Sequence, residues 1–207
     1  THAKARQAVV RHSKCANDPN MACLSCCGKT LHIHTTVLTM LRERYNRYAP
    51  QVDGVCLDVS DDGLFHTVVF NMHMRYESLA TFDQGNQGAL PQEAFQVLRD
   101  SFGVYHECFA SPLNVCPGSC EQTFNTLFQD TDIFFGSKSS FFEFWPETGS
   151  YEVNPPFDKS SVERTFQHIV DIMETAESRD DQWVSDKPPL LFIVITPFVT
   201  VAADKFL

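Results

Sequence analysis

From Thr35 to Tyr48 apolar side chains recur at Val37, Leu38, Leu41, Tyr45 and Tyr48, with arginines between them. That spacing predicts a helix with one packed face. "APQVDG" breaks it. Val55 to Val59 reads as a strand, "DDG" as a turn, and Leu64 to Leu79 as a second helix. "FDQGNQGALP" is a glycine-bearing loop, and Pro91 opens a third helix whose apolar face is Phe95, Leu98 and Phe102. Upstream, residues 1–29 are polar and cysteine-bearing, "ANDPN" reads as a turn, and His32 and His34 alternate as on a strand.

After Gly103 the texture changes. "VYHECFA" predicts a strand ending in "SPLN", "EQTFNTLFQ" a short helix, "SFFEFWP" a strand, and "SYEV" another strand running into Asn154. Ser160 to Glu177 is helical, with Val162, Phe166, Ile169, Val170 and Met173 on one face and Ser160 or Ser161 as its cap. "PLLFIVIT" is a continuous apolar run, the kind buried on both faces of a parallel sheet. Alternating strands and helices predict an α/β layer fold. The expected organisation is a mostly helical, basic part over residues 1–100 and an α/β core over 101–207, without internal repeats.

Composition adds limits. A chain of 207 residues suits one domain, or a domain with an appendage. No run of about 18 apolar residues is present, so nothing reads as a membrane span. The chain starts at Thr1 without a signal-peptide pattern and is read as partial; its eight cysteines are read as mostly reduced intracellular thiols, with Cys56 and Cys108 in the core.

The net charge of −10 conceals a division. Residues 1–50 hold eight Lys/Arg against Asp18 and Glu43, a net +6, which leaves −16 for the remainder. A basic N-terminal part can approach phosphates, whereas the acidic body argues against broad nucleic-acid binding. Arg44 and Arg47, three apart on the first helix, are expected to share its outer face.

The candidate chemistry lies in "SPLN" (111–114) and "NPPF" (154–157), both at strand ends, where ligands bind in open α/β sheets. Pro155 forces Asn154 into an extended conformation, projecting its amide past the sheet. The Asn154 side-chain oxygen and the Pro155 carbonyl then offer two acceptors beside the flat Phe157 ring. Two acceptors and an aromatic plane suit a planar base with an exocyclic amine, such as adenine.

Asn-Pro-Pro-Phe is also the active-site signature of class I amino methyltransferases acting on adenine. The wider sequence resembles the phosphorylated-CTD-interacting-factor family, the cap-specific adenosine N6-methyltransferases. The matching segments, in order, are "QGALP", "FGV", "ECFASPLN", "DTDIFFGS", "FEFWPETGSYEVNPPF" and "PLLFIV", with Arg75-Tyr76 a further upstream match. The resemblance implies a Rossmann-like core, incomplete at its C-terminus, with S-adenosylmethionine as methyl donor. It implies that Asn154, Pro155, Pro156 and Phe157 hold the target adenine. It places Ser111, Pro112, Asn114, Asp132, Gly136, Ser137 and Glu143 near the donor and Arg75 toward the RNA, while the basic charge of residues 1–50 adds Arg44 and Arg47 as RNA contacts. The expected partner is the capped 5′ end of mRNA, with the phosphorylated RNA polymerase II tail as a further contact and the nucleus as the location. Alternatives are an adenine methyltransferase acting on other RNA or DNA, or a non-catalytic relative binding RNA or that tail.

The sequence departs from the family pattern at Pro197-Phe198-Val199, where an acidic residue and Trp usually follow the proline. It departs also at Lys159 and in the insert "VCPGSCEQ". Elsewhere, Cys15, Cys23, Cys26, Cys27, His32 and His34 cluster in sequence, and Cys23-x-x-Cys26 has zinc-ligand spacing. With no second C-x-x-C, these are read as ordinary thiols, and no metal is expected.

Overall fold

The computed structural model describes residues 9–54, 56, 58–80, 89–116, 122–177 and 189–196. The loop at 82–88, Cys120 with most of its insert, and Pro197–Val199 lie outside them. The chain forms two compact units, one of residues 1–83 with 130–136, the other of 84–129 with 137–207.

The first unit begins with an antiparallel sheet of β1 (Arg11–Lys14), β2 (Met21–Cys26) and β3 (Lys29–His34), in that order. Cys26 pairs with Lys29, leaving a two-residue turn in which Cys27 (φ 51°) and Gly28 (φ 80°) are both left-handed. That is the turn whose twist suits a hairpin. Ala22, Leu24, Leu31 and Ile33 form the buried face of this sheet. The helix α1 (Thr35–Tyr48) follows directly, its first turn capped by the His34 imidazole, which accepts from Thr36 N at 3.3 Å. Leu41, Arg44 and Tyr45 are its buried residues, and α2 (Asp62–Ala80) completes the helical part. Two 3-10 turns, Ala49–Gln51 and Ile133–Phe135, also belong to this unit.

The second unit is built on a parallel sheet. Helix α3 (Gln92–Phe102) stops at left-handed Gly103 (φ 67°), whose N–H returns to the Arg99 carbonyl. Then come β4 (Val104–Glu107), β5 (Thr123–Phe124), β6 (Gly149–Val153), α5 (Lys159–Glu177) and β7 (Leu190–Val194); the short α4 (Gln129–Asp132) between β5 and β6 lies, but for Gln129, in the first unit. The strand order is β5-β4-β6-β7, every pair parallel. Phe95 and Leu98 of α3 pack with Val104, Cys116 and Ile193, while Ile169 of α5 packs with Cys108, Phe141, Val153, Phe192 and Val194. Ile193 and its neighbours on β7 point to opposite faces. The sheet is therefore covered by a helix on each side.

Several expectations need correction. "SFFEFWP" is not a strand: Phe141–Glu143 form a 3-10 turn capped by Ser140, and His168 Nε2 donates to the carbonyls of Phe141 (2.9 Å) and Phe144 (3.2 Å). Buried Phe141 ties that turn to α5 more strongly than its aromatic neighbours favour a ladder. "EQTFNTLFQ" supplies β5 rather than a helix, because Thr123 and Phe124 pair with His106 and Glu107. The cap of α5 is Asp158, which accepts from Ser161 N at 2.9 Å, not Ser160 or Ser161. Of the expected strand Val55–Val59, Val55 and Leu57 lie outside the described residues, and Asp58 folds back onto Ser60 in a turn. Cys108 is buried as expected, but Cys56 is exposed. β7 is only partly buried, with Leu191 36% exposed, since β6 is its one neighbour among the described strands.

Candidate active site

The chain lays β5 on one side of β4, then crosses to place β6 and β7 on the other. The reversal opens a crevice between the carboxyl ends of β4 and β6, the usual ligand position in such sheets. Cys108 N donates to the Glu152 carbonyl at 2.8 Å, so these two strands stay joined to their last residues. The loops leaving them are "ASPLN" and "NPPF". Two motifs 40 residues apart in sequence therefore start side by side.

After β6, Ile195 N donates to the Val153 carbonyl at 2.8 Å, carrying the ladder to the residue before the tetrapeptide. Pro155 and Pro156 have no N–H, and the ladder goes no further. Asn154 is buried at 4% exposure and Pro155 is buried too, while Pro156 and Phe157 are half-buried. Asp158 then caps α5, and its hydrogen bonds with Ser161 hold its carboxyl below the usual range. The tetrapeptide is thus fixed at both ends, by a strand and by a capped helix.

The loop after β4 closes on itself. Asn114 Oδ1 accepts from Ser111 N (2.6 Å) and Ser111 Oγ (2.8 Å), and Val115 N returns to the Ser111 carbonyl (2.9 Å). Ser111 and Pro112 are buried and Asn114 is exposed. Ser137 Oγ donates to Gln129 Oε1 at 2.7 Å, and Ser137 bridges Phe124 in parallel. Glu143 is exposed on its 3-10 turn.

Below the two loops sits a pair the sequence reading missed. Glu107 and Glu152 face each other across β4 and β6 and are 4% and 1% exposed. Glu107 Oε1 accepts from Cys116 N (2.8 Å) and Gln122 Nε2 (2.7 Å). The Glu152 carboxyl has no hydrogen-bond partner among the described residues, and burial, then Glu107, push it up to about 8. It is protonated at neutral pH. The signal was present: "HECF" and "YEVN" each place a Glu at the end of an apolar strand, just ahead of a loop motif.

The other named residues belong to the first unit. Asp132 is fully buried, and its carboxylate accepts from the Tyr76 and Thr131 hydroxyls. Gly136 has φ 97°, and a Cβ there would lie 2.6 Å from the Tyr48 ring, so only glycine fits. Arg75 pairs with Asp130. Arg44, expected beside Arg47 on the outer face of α1, is instead 1% exposed and donates from Nε to the Phe135 carbonyl at 2.8 Å. The 3-10 turn packed on α1 claims Arg44 as an internal tie, while Arg47 stays exposed.

The family model for the phosphorylated CTD interacting factor 1 WW domain matches residues 40–206. A human protein named mRNA (2′-O-methyladenosine-N(6)-)-methyltransferase is 32% identical over 183 residues, covering 86% of this chain and 23% of its own length. A mouse protein of the same name is 39% identical over 114 residues, 55% of this chain and 14% of its own. The chain thus spans less than a quarter of the length of these curated relatives.

Proposed function

The chain belongs to the phosphorylated CTD interacting factor 1 family, and on that premise we propose that it is part of an S-adenosylmethionine-dependent methyltransferase acting on N6 of adenosine. The substrate is 2′-O-methyladenosine of mRNA, as the names of its relatives suggest, and the family resemblance places it beside the cap. One observation carries the reading: "NPPF" and "ASPLN" leave neighbouring strands at the point where strand order reverses. The same reversal supports a Rossmann-like class I core.

The residues present fit a methyl donor in that crevice. Ser111, Pro112 and Asn114 form a pre-closed turn at its edge, so little ordering is needed to bind. The Asp132 carboxylate, in the first unit, is committed to Tyr76 and Thr131. Bound there, the donor supplies a methyl group on a sulfonium. The chain's own task is to orient the acceptor. Asn154 Oδ1 and the Pro155 carbonyl accept from the adenine amine, holding it for in-line attack and favouring a more tetrahedral nitrogen. Phe157 stacks on the base, worth about 1–3 kcal/mol by comparison with single-strand binding. The protonated Glu152 beneath adds no negative charge to that end of the sheet at neutral pH.

Capped mRNA is the proposed nucleic-acid partner and Arg47 a proposed phosphate contact. The phosphorylated RNA polymerase II tail is proposed as a second partner, with the nucleus as the site of action. The test is methyl transfer by the full-length protein to capped RNA beginning with 2′-O-methyladenosine, alongside uncapped RNA and DNA. Methylation restricted to the capped RNA supports the proposal. Preference for DNA or uncapped RNA overturns the substrate, and transfer to none of the three overturns the activity.

A further inference from the structure

The three-stranded sheet of the first unit gathers three soft ligands on one face. Cys23 of β2 and His32 of β3 are directly paired in register, so their side chains share a face. Cys15 follows β1 and donates its N–H to the Met21 carbonyl at 3.0 Å, extending the pairing by one step. His32 Nδ1 lies 3.4 Å from Cys23 Sγ and 3.8 Å from Cys15 Sγ, and all three ligand atoms fall within 4.8 Å of one another. A tetrahedral zinc with Zn–S near 2.3 Å and Zn–N near 2.05 Å separates its sulfur and nitrogen ligands by about 3.6 Å. The two observed distances straddle that value.

We propose that Cys15, Cys23 and His32 bind one Zn²⁺, with ligands from β2, β3 and the residue just after β1 and a fourth position open to water. Cys23-x-x-Cys26, the spacing that suggests zinc in the sequence, is not the pair used. On a strand, residues three apart point to opposite faces, and Cys26 Sγ instead lies 3.6 Å from Cys27 Sγ. The neighbouring donors are committed elsewhere: His34 caps α1, and the Asp18 carboxylate accepts from Asn20 N at 2.8 Å. Cys15 is half-buried and His32 exposed, so the open position faces solvent. Two thiolates and an imidazole favour zinc over calcium or magnesium. A metal here ties all three strands of a small sheet together, so its binding free energy adds to folding. The site is independent of the methyl-transfer reading.

The test uses the reduced full-length protein. Bound zinc is measured after gel filtration, and Co²⁺ is titrated into metal-free protein to read the thiolate-to-cobalt charge-transfer band. The wild type should retain about one zinc per chain and show a band that saturates at one equivalent and is displaced by Zn²⁺. Cys15→Ser and His32→Ala should each lose retained zinc and the band, while Cys26→Ser keeps both. His32 is exposed, so its replacement leaves the core untouched, and zinc should raise the Tm of the wild type but not of His32→Ala. Substoichiometric zinc with no cobalt band would overturn the proposal. So would a Cys15–Cys23 disulfide in freshly reduced protein, retention of Cu⁺ but not Zn²⁺, or equal loss in Cys26→Ser.

Discussion

The two ends of the parallel sheet invite opposite conclusions. Where β4, β5 and β6 begin, a cavity of about 410 Å³ opens among Tyr105, His106, Thr123, Lys138 and Phe144. Its volume falls in the range of ligand sites. Its central polar group is fully engaged. His106 accepts from the Thr123 hydroxyl at Nδ1 (2.8 Å), donates from Nε2 to Asn125 Oδ1 (2.7 Å), and stacks on Phe144 at 4.7 Å. Burial lowers its pKa to about 4, so the ring is neutral and held in one tautomer. At the carboxyl end, two loops converge, one of them unable to continue the ladder because of consecutive prolines. The difference teaches that open volume is a weaker guide than where the chain leaves its own hydrogen-bonding pattern.

The largest expected effect breaks the comparison at the carboxyl end. Asn154→Ala in the full-length protein should lower kcat by about 10²–10³-fold, as removal of one preorganised transition-state contact does. Its thermal unfolding should stay near wild type, and steady-state methyl transfer with a melting curve checks both. At the amino end the same operation should do the reverse. His106→Ala leaves Asn125 and Thr123 without their shared partner and opens a cavity, costing about 2–3 kcal/mol in urea unfolding. Transfer per folded molecule should be unchanged.

Smaller effects sharpen the contrast. Phe157→Ala should weaken RNA binding by about 10-fold through lost stacking, with donor affinity unaffected in titration calorimetry. The pH dependence should have opposite signs at the two ends. Glu152 binds its proton more tightly folded than unfolded, so its contribution to stability is lost as pH rises from about 4.5 to about 8. His106 binds its proton more weakly when folded, so its contribution is gained as pH rises from about 4 to 6.5. Between about 6.5 and 8 only the falling limb operates, with a slope of at most about 1.4 kcal/mol per pH unit. Glu152→Gln should remove that slope, read by urea unfolding across the window.

Much of this was legible in the chain wherever one period ruled a segment. The helix over Thr35–Tyr48 was read to the residue, because its apolar spacing is unbroken and "AP" stops it. "SYEV", "VYHECFA" and "PLLFIVIT" were read as strands, each holding an observed strand within it, and the tetrapeptide was found because Pro-Pro forbids a ladder. The N-terminal hairpin was not seen. Its turn is Cys-Gly rather than Asn-Gly, so a left-handed Cys27 gave no composition signal. Arg44 was misplaced because a cation on a helix is ordinarily solvated, and only a turn about 90 residues away in sequence supplies the carbonyl that buries it. The Glu107–Glu152 pair depends on strand register, which no single segment contains.

The claim that function resides at the carboxyl end of the sheet is tested most directly by hydrogen exchange of the full-length protein with and without S-adenosylhomocysteine. Slowed exchange at residues 108–114 and 153–157, with no change at 103–106 and 149–151, is the result this account predicts. Protection confined to 103–106 and 149–151 would move the site to the cavity at the other end and contradict it.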